Sequence, residues 1–231
     1  MGWGMGRVGV DERELDHARR DLVAYGVRML EDGLAVGTAG NLSVRVGDVV
    51  AISPSGILYR EIAPEDVCVV SLDGEKLSGN ATVSSEWPMH SGIYRSTDAR
   101  AVVHTHSAEV VALSLSQSEL PAVHYVIAGL GGSVPVVDYV RFGSEGLAEG
   151  AISVMASRNA AILQNHGAVT RGATLQQAYE RALLLEWLAK VYRLSLSYGE
   201  PRILSADELA EVEAEVRRRR YGGPSLEDGA R

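Results

Sequence analysis

The chain has 231 residues, 46% hydrophobic and 23% charged, with 22 Lys and Arg against 30 Asp and Glu and a formal net charge of −8 at pH 7. That length can bury a core unaided, and the acidic balance argues against nucleic acid as a partner, which calls for a basic excess. A single cysteine, Cys68, rules out a disulfide within the chain, no run of 18 apolar residues offers a membrane span, and nothing before the charged stretch 11–20 reads as a signal peptide, so a cytoplasmic protein with no membrane partner is expected.

Residues 1–10 are Gly-rich and, with 222–231, are expected to be flexible termini, leaving 11–221 as one domain. Asp11 reads as a helix N-cap with Glu14 three residues on, and Leu15, Ala18, Leu22, Tyr25 or Gly26, and Met29 recur at helical spacing until Gly33 stops the helix. Residues 42–46 and 49–53 read as a hairpin around Gly47-Asp48, flanked by small-residue loops. The run 67–71 is a further strand, with Cys68 in its core, closed by Asp73-Gly74. A helix is expected to begin near Ser85, because Pro88 is tolerated only in a first turn. Residues 101–105 form a strand, followed by a short helix at 108–115, a strand in 133–139, a helix at 144–157 and a strand at 160–164. The stretch 174–198 is a long helix with Leu183, Leu184, Trp187, Leu188 and Val191 on its apolar side. Ser205 and Glu208 make a capping-box pattern for a last helix, whose end at Arg217–Arg220 places basic charge where the macrodipole favours it. The irregular alternation of strands and helices points to a mixed or largely antiparallel sheet with helices on its faces.

His104 and His106 lie two apart at the end of the strand 101–105, so the period of two projects both from one face. Two imidazoles on one face can chelate one ion, and His166, just beyond the strand 160–164 and before Gly167, offers a third ligand. A His-x-His pair alone is more often an incidental structural feature than a metal site. Glu86, after two serines and near a helix start, is either a first-turn carboxylate favoured by the macrodipole or a ligand and proton carrier beside a cation. The loops 38–41, 53–56 and 84–85 combine backbone N–H groups with hydroxyls, which can hold a phosphate, although each alone is ordinary turn chemistry. None matches a mononucleotide or dinucleotide loop.

Taken together, GTAGNLSVR, ISPSGI, SSEWPMH, VVHTHS, the stretch 121–144 and LQNHGAV resemble the zinc-dependent class II aldolase and adducin family, over roughly residues 12–221 and closest to its fuculose-phosphate aldolase branch. The resemblance implies a three-layer α/β/α sandwich around a central mixed, mostly antiparallel sheet. It implies Zn²⁺, with Mn²⁺ or Co²⁺ as alternatives, held by His104, His106 and His166, with Glu86 as acid/base and as a further ligand when no substrate is bound. It implies a phosphate pocket of Asn41, Ser55, Gly56, Ser84 and Ser85, a catalytic Tyr125 contributed across a subunit interface, Tyr221 near the substrate, and a homotetramer with sites between subunits.

The implied reaction is cleavage of a ketose 1-phosphate such as L-fuculose 1-phosphate to dihydroxyacetone phosphate and a small aldehyde such as L-lactaldehyde. Glu86 would exchange a proton at C3, and Tyr125 would serve the C4 oxygen. Lys76 and Lys190 are the only lysines, one beside a turn and one in the long helix, which argues against an imine route. The same cleft is expected in L-ribulose-5-phosphate 4-epimerase, whose branch usually carries Asp in place of Glu86 and another Asp in the segment 123–129, neither present here. Methylthioribulose-1-phosphate dehydratases and 5-deoxypentulose-phosphate aldolases share the cleft as well. A non-enzymatic module like the adducin head is not expected to retain the histidines. The aldehyde that leaves depends on the pocket beyond the metal, including Phe142 and Tyr221.

Overall fold

A computed structural model describes residues 11–219. Helix α1 (Glu12–Glu31) starts where Asp11 accepts a hydrogen bond from the Arg13 backbone N–H. It buries Leu15, Ala18, Leu22, Gly26 and Met29, the stripe its spacing foretells. Strands β1 (Asn41–Val46) and β2 (Val49–Ile52) form the expected hairpin, and β3 (Cys68–Ser71) pairs with β2. There follow β4 (Lys76–Ser78), α2 (Trp87–Ser96), β5 (Ala101–Thr105), α3 (Ala108–Ser114) and β6 (Glu119–Leu120). After a 3-10 helix at Tyr125–Leu130 come β7 (Val134–Val137), α4 (Glu145–Met155), β8 (Ala160–Leu163), β9 (Gly167–Gly172), α5 (Leu175–Ser195) and α6 (Ala206–Arg219).

The nine strands make a sheet in the order β4-β3-β2-β1-β5-β9-β8-β7-β6, and every neighbouring pair is antiparallel except β7 and β8. Alternation along the strands sends side chains to two different helix layers. Leu42, Val103 and Ala101 pack with α1 and α5, whereas Val50, Val102 and Val169 pack with α2 and α4. Helix α3 joins the α5 side, where Val110, Leu113, Leu185 and Leu188 share a third cluster. This is the three-layer sandwich with a mixed, mostly antiparallel sheet that the sequence leads one to expect.

Three details differ from the sequence reading. Strands β4, β6 and β9 appear where none was expected. The long helix does not turn Leu183, Leu184, Trp187, Leu188 and Val191 inward together. Its buried face is Leu175, Ala178, Tyr179, Ala182, Leu185, Leu188 and Ala189, and Trp187 is 45% exposed. Small alanines let α5 lie close on the sheet, so the bulkiest apolar side chains are not the ones facing it. Finally, α2 begins one residue after Glu86, which is its N-cap and not a first-turn residue. The last helix does carry its capping box: the Ser205 N–H donates to Glu208 at 2.8 Å, and the Glu208 N–H to Ser205 Oγ at 3.2 Å.

Candidate metal centre

Strand β5 lies in the middle of the sheet, between β1 and β9. His104 is its fourth residue and shares a face with Val102. His106 follows one residue past the strand, held by its N–H to the Leu34 carbonyl at 2.8 Å. The neighbouring antiparallel strand β9 is entered through a tight turn from β8, with Asn165 left-handed at φ 55°. Asparagine tolerates that conformation better than most residues. Gly167 lies so close to β5 that a Cβ there would stand 2.0 Å from the Thr105 carbonyl oxygen, and this approach carries His166 to the side of His106. Gly40, at φ +76°, allows the loop before β1 an equally close approach: a Cβ there would lie 2.7 Å from the His104 carbonyl oxygen. The glycines beside the motif residues therefore have a steric reason, as close-packed backbone requires.

The three imidazoles form a three-sided arrangement with ring centroids 4.8, 4.8 and 4.9 Å apart and planes inclined at 72°, 75° and 86°. Glu86 closes the set from the start of α2. Its Oε2 lies 3.0 Å from His104 Nε2 and its Oε1 3.3 Å from His166 Nε2. One ligand atom from each of Glu86, His104, His106 and His166 lies within 4.8 Å of the others. Ligands opposed across a cation at about 2.0–2.2 Å would be separated by about 4.4 Å at most, so the four side chains need to draw in by only a few tenths of an ångström to share one coordination shell.

His104 is oriented, and His106 kept neutral, as cation ligands are. His104 Nδ1 faces the Ala168 carbonyl at 2.9 Å, which fixes a proton there and turns Nε2 inward. Burial, with the neighbouring His104 and His166, pushes His106 down to about 3, so this ring is neutral as a ligand must be. Burial also lowers His104, but the Glu86 charge and its hydrogen bond, with the Ala168 carbonyl, outweigh that and raise it. Burial pushes the Glu86 carboxyl up; the charge of His104 and polar contacts from His104, His166 and Asn41 outweigh it and hold Glu86 well below the usual carboxylate range. Two buried polar atoms in this cluster, Glu86 Oε1 and His166 Nδ1, have no hydrogen-bond partner among the described residues. Buried polar atoms are rarely left so. Three nitrogen donors and a carboxylate suit zinc and its first-row neighbours, and the residues fit such an ion.

A cleft of about 350 Å³ opens onto this cluster. Thr38, Gly40 and Asn41 form one wall, Ser55, Gly56, Ser84 and Ser85 another, and Tyr139, Val140 and Phe142 an apolar rim, with His106 and His166 at the floor. A lone bridge between Pro54 and Val83 draws the two serine loops together. His104 lies beneath the floor, fully buried. Neither lysine lines the cleft: Lys76 Nζ donates to the Ala81 carbonyl at 2.6 Å, and Lys190 is exposed on α5.

Asn41, Ser55, Gly56, Ser84, Ser85, Glu86, His106 and His166 are thus together at the cleft, with His104 below it. Tyr125 is not among the lining residues. It is 55% exposed in its 3-10 helix, stacked at 4.6 Å on His124, which meets the exposed Trp187 edge-on. Tyr221 lies outside the described residues. The macrodipole reading of Glu86 fails because its carboxylate makes no cap hydrogen bond to α2 and points instead into the histidines. Sequence reasoning missed Tyr139, Val140 and Asn165 as cleft residues, and it assigned no role to His90. No local pattern marks His90, because its partners Asn41 and Ser43 come from β1.

Comparison with known proteins bears on this site. The model of the Class II Aldolase and Adducin N-terminal domain family matches residues 20–193. A 5-deoxy-D-ribulose 1-phosphate aldolase of Bacillus thuringiensis serovar kurstaki is 41% identical over 86% of this chain and 94% of its own. A 5-methylthioribulose-1-phosphate/5-deoxyribulose-1-phosphate aldolase of Rhodospirillum rubrum is 40% identical over 84% of this chain and 88% of its own. Among solved structures, an L-fuculose 1-phosphate aldolase superposes with a TM-score of 0.84 at 34% identity, covering 87% of this chain and 96% of that one.

Proposed function

The chain belongs to the family of class II aldolases and adducin N-terminal domains and is a class II aldolase, a carbon–carbon lyase, and from that premise we propose that it cleaves a deoxyketose 1-phosphate between C3 and C4. The products are dihydroxyacetone phosphate and a small aldehyde. The observation that carries this reading is the convergence of Glu86, His104, His106 and His166 on one point at the floor of a cleft lined by hydroxyl-rich loops.

His104, His106 and His166 hold the divalent cation, zinc in this reading. The bound cation supplies Lewis-acid polarisation of the substrate oxygens. Glu86, ionised and shielded from water, exchanges the proton at C3 of the three-carbon fragment. Ser55, Gly56, Ser84 and Ser85, with Asn41, receive the 1-phosphate through hydroxyl, amide and backbone N–H donors. Among the described residues no lysine or arginine lines the cleft, so the donors these loops offer the phosphate are neutral, and binding at this remote end orients the reacting bond. Tyr139, Val140 and Phe142 give the far end of the substrate an apolar rim, which suits a terminal methyl better than a second phosphate. Tyr125, exposed and away from its own cleft, serves the C4 oxygen at the cleft of a neighbouring subunit in a homotetramer.

The methyl-bearing candidates are 5-deoxypentulose 1-phosphates and L-fuculose 1-phosphate. The higher identity to enzymes named for 5-deoxyribulose 1-phosphate favours the first, for which a five-carbon ketose leaves a two-carbon aldehyde. A panel of ketose 1- and 5-phosphates, scored for dihydroxyacetone phosphate with and without a chelator, tests this. The expected result is chelator-sensitive release from 5-deoxypentulose 1-phosphate ahead of fuculose 1-phosphate, and none from 5-phosphates. Turnover of ribulose 5-phosphate with no three-carbon product would reject the cleavage reading.

A further inference from the structure

From Asn41 in the cleft wall, beside Glu86, buried polar side chains run inward between α2 and β1. Asn41, Ser43 and His90 are all buried, as is Tyr94. Asn41 and Ser43 project from the face of β1 that meets α2, opposite His104 and Val102 of β5. Asn41 Nδ2 donates to Glu86 Oε2 at 2.8 Å. His90 Nε2 lies 2.5 Å from Asn41 Oδ1, His90 Nδ1 lies 2.7 Å from Ser43 Oγ, and Ser43 Oγ lies 2.7 Å from the Tyr94 hydroxyl.

The direction of every bond in this chain follows from its end. A carboxylate only accepts, so Asn41 must present its NH₂ to Glu86 and its carbonyl oxygen to His90. An amide oxygen only accepts, so His90 Nε2 must carry a proton. Burial and the nearby His104 keep His90 neutral, down to about 3. A neutral imidazole has one N–H, so Nδ1 accepts from the Ser43 hydroxyl, and Ser43 accepts in turn from Tyr94. One arrangement satisfies all four links.

We propose that His90 is a positioning residue for the reaction: as the Nε2–H tautomer it fixes the Asn41 amide, which holds Glu86 Oε2 and leaves Oε1 as the oxygen that takes and returns the proton. Among the described residues Glu86 Oε1 has no hydrogen-bond partner and only the 3.3 Å ion-pair contact with His166 Nε2, so it is the oxygen less firmly held. Without the His90 donor, the Asn41 amide is free to flip, which would set its carbonyl oxygen against the carboxylate, acceptor against acceptor. Glu86 would then turn away, and a displacement of about 1 Å at a reacting group costs about 10²-fold in rate. An amide interrupts proton conduction, so the chain orients Glu86 and does not carry its proton.

The kinetic part rests on the aldolase reading; the tautomer does not, and the test separates them. Nitrogen-15 NMR of the full chain, labelled at histidine, is expected to show His90 protonated at Nε2 and bare at Nδ1. A bare Nε2 or a charged ring would overturn the proposal. In the kinetic arm, His90→Leu removes both links, whereas His90→Gln can donate to Asn41 and accept from Ser43. The expected pattern is a kcat reduced about 10²-fold in His90→Leu at unchanged metal content, with a smaller rise in KM because Asn41 also meets the phosphate, and most of the loss recovered in His90→Gln. Equal losses in both variants, a full-rate His90→Leu, or a loss expressed only in KM or in metal content would reject the positioning role. If His90→Leu does not fold, the NMR result alone decides, and if the wild-type chain cleaves no ketose phosphate, the aldolase reading has failed while the tautomer stands or falls on its own spectrum.

Discussion

Glu86→Gln is expected to lower kcat by about 10²–10⁴-fold while metal content stays at the wild-type level. The glutamine amide has the same shape, so its carbonyl oxygen can still accept from Asn41 Nδ2, where Glu86 Oε2 accepts now at 2.8 Å. What it lacks is a basic oxygen. Glu86 is buried at the floor of the cleft, and its carboxylate is held ionised chiefly against the push of burial by His104. An amide there neither takes a proton from carbon nor returns one. Three imidazoles remain to hold the ion, which is why the loss should fall on turnover and not on occupancy. The measurement is kcat alongside metal per chain. A variant with wild-type turnover would remove Glu86 from the proton transfer, and one that lost its metal would make Glu86 a ligand first.

His166→Ala should abolish stoichiometric metal binding. Loss of an outer partner of a metal ligand typically costs about 10–100-fold in affinity, and loss of a ligand itself should exceed that. His166 suits the test because its side chain is 10% exposed at the cleft floor, whereas His104 is fully buried and its removal would also open a void. Its backbone neighbours, Asn165 and Gly167, shape the turn and are untouched by the change. Metal per chain after dialysis is expected to fall far below one, and activity with it, while the melting temperature of the apo proteins stays close. Wild-type metal retention would show that two imidazoles and Glu86 suffice.

How much of this could be read in the sequence depended on whether the signal was local. The two histidines at the end of β5 were legible because a strand's period of two is short and unambiguous. The capping box at Ser205 and Glu208 and the hairpin turn at Gly47-Asp48 are likewise local codes, and both are present. Strands β4, β6 and β9 were not legible: β4 is exposed along its length, β6 has two residues, and β9 begins at Gly167, directly after the turn at Asn165. The buried face of α5 was misread because alanines, which carry little hydrophobic signal, are what packs on the sheet. Glu86 was undecided for a different reason. Its carboxylate has a cap role or a site role depending on where β5 and β9 place three imidazoles, and no local pattern contains that. The polar chain behind it, Asn41, Ser43, His90 and Tyr94, was invisible because its members come from two elements and none is a ligand.

The central claim is that His104, His106 and His166 share one divalent ion. Metal analysis of the purified chain, joined to X-ray absorption at the metal edge, addresses it directly. The account predicts one divalent ion per chain, zinc in the first instance, with three imidazole nitrogens at about 2.0–2.1 Å and oxygen completing the shell. A chain that takes up no stoichiometric metal, or an ion whose shell contains no imidazole, would contradict it.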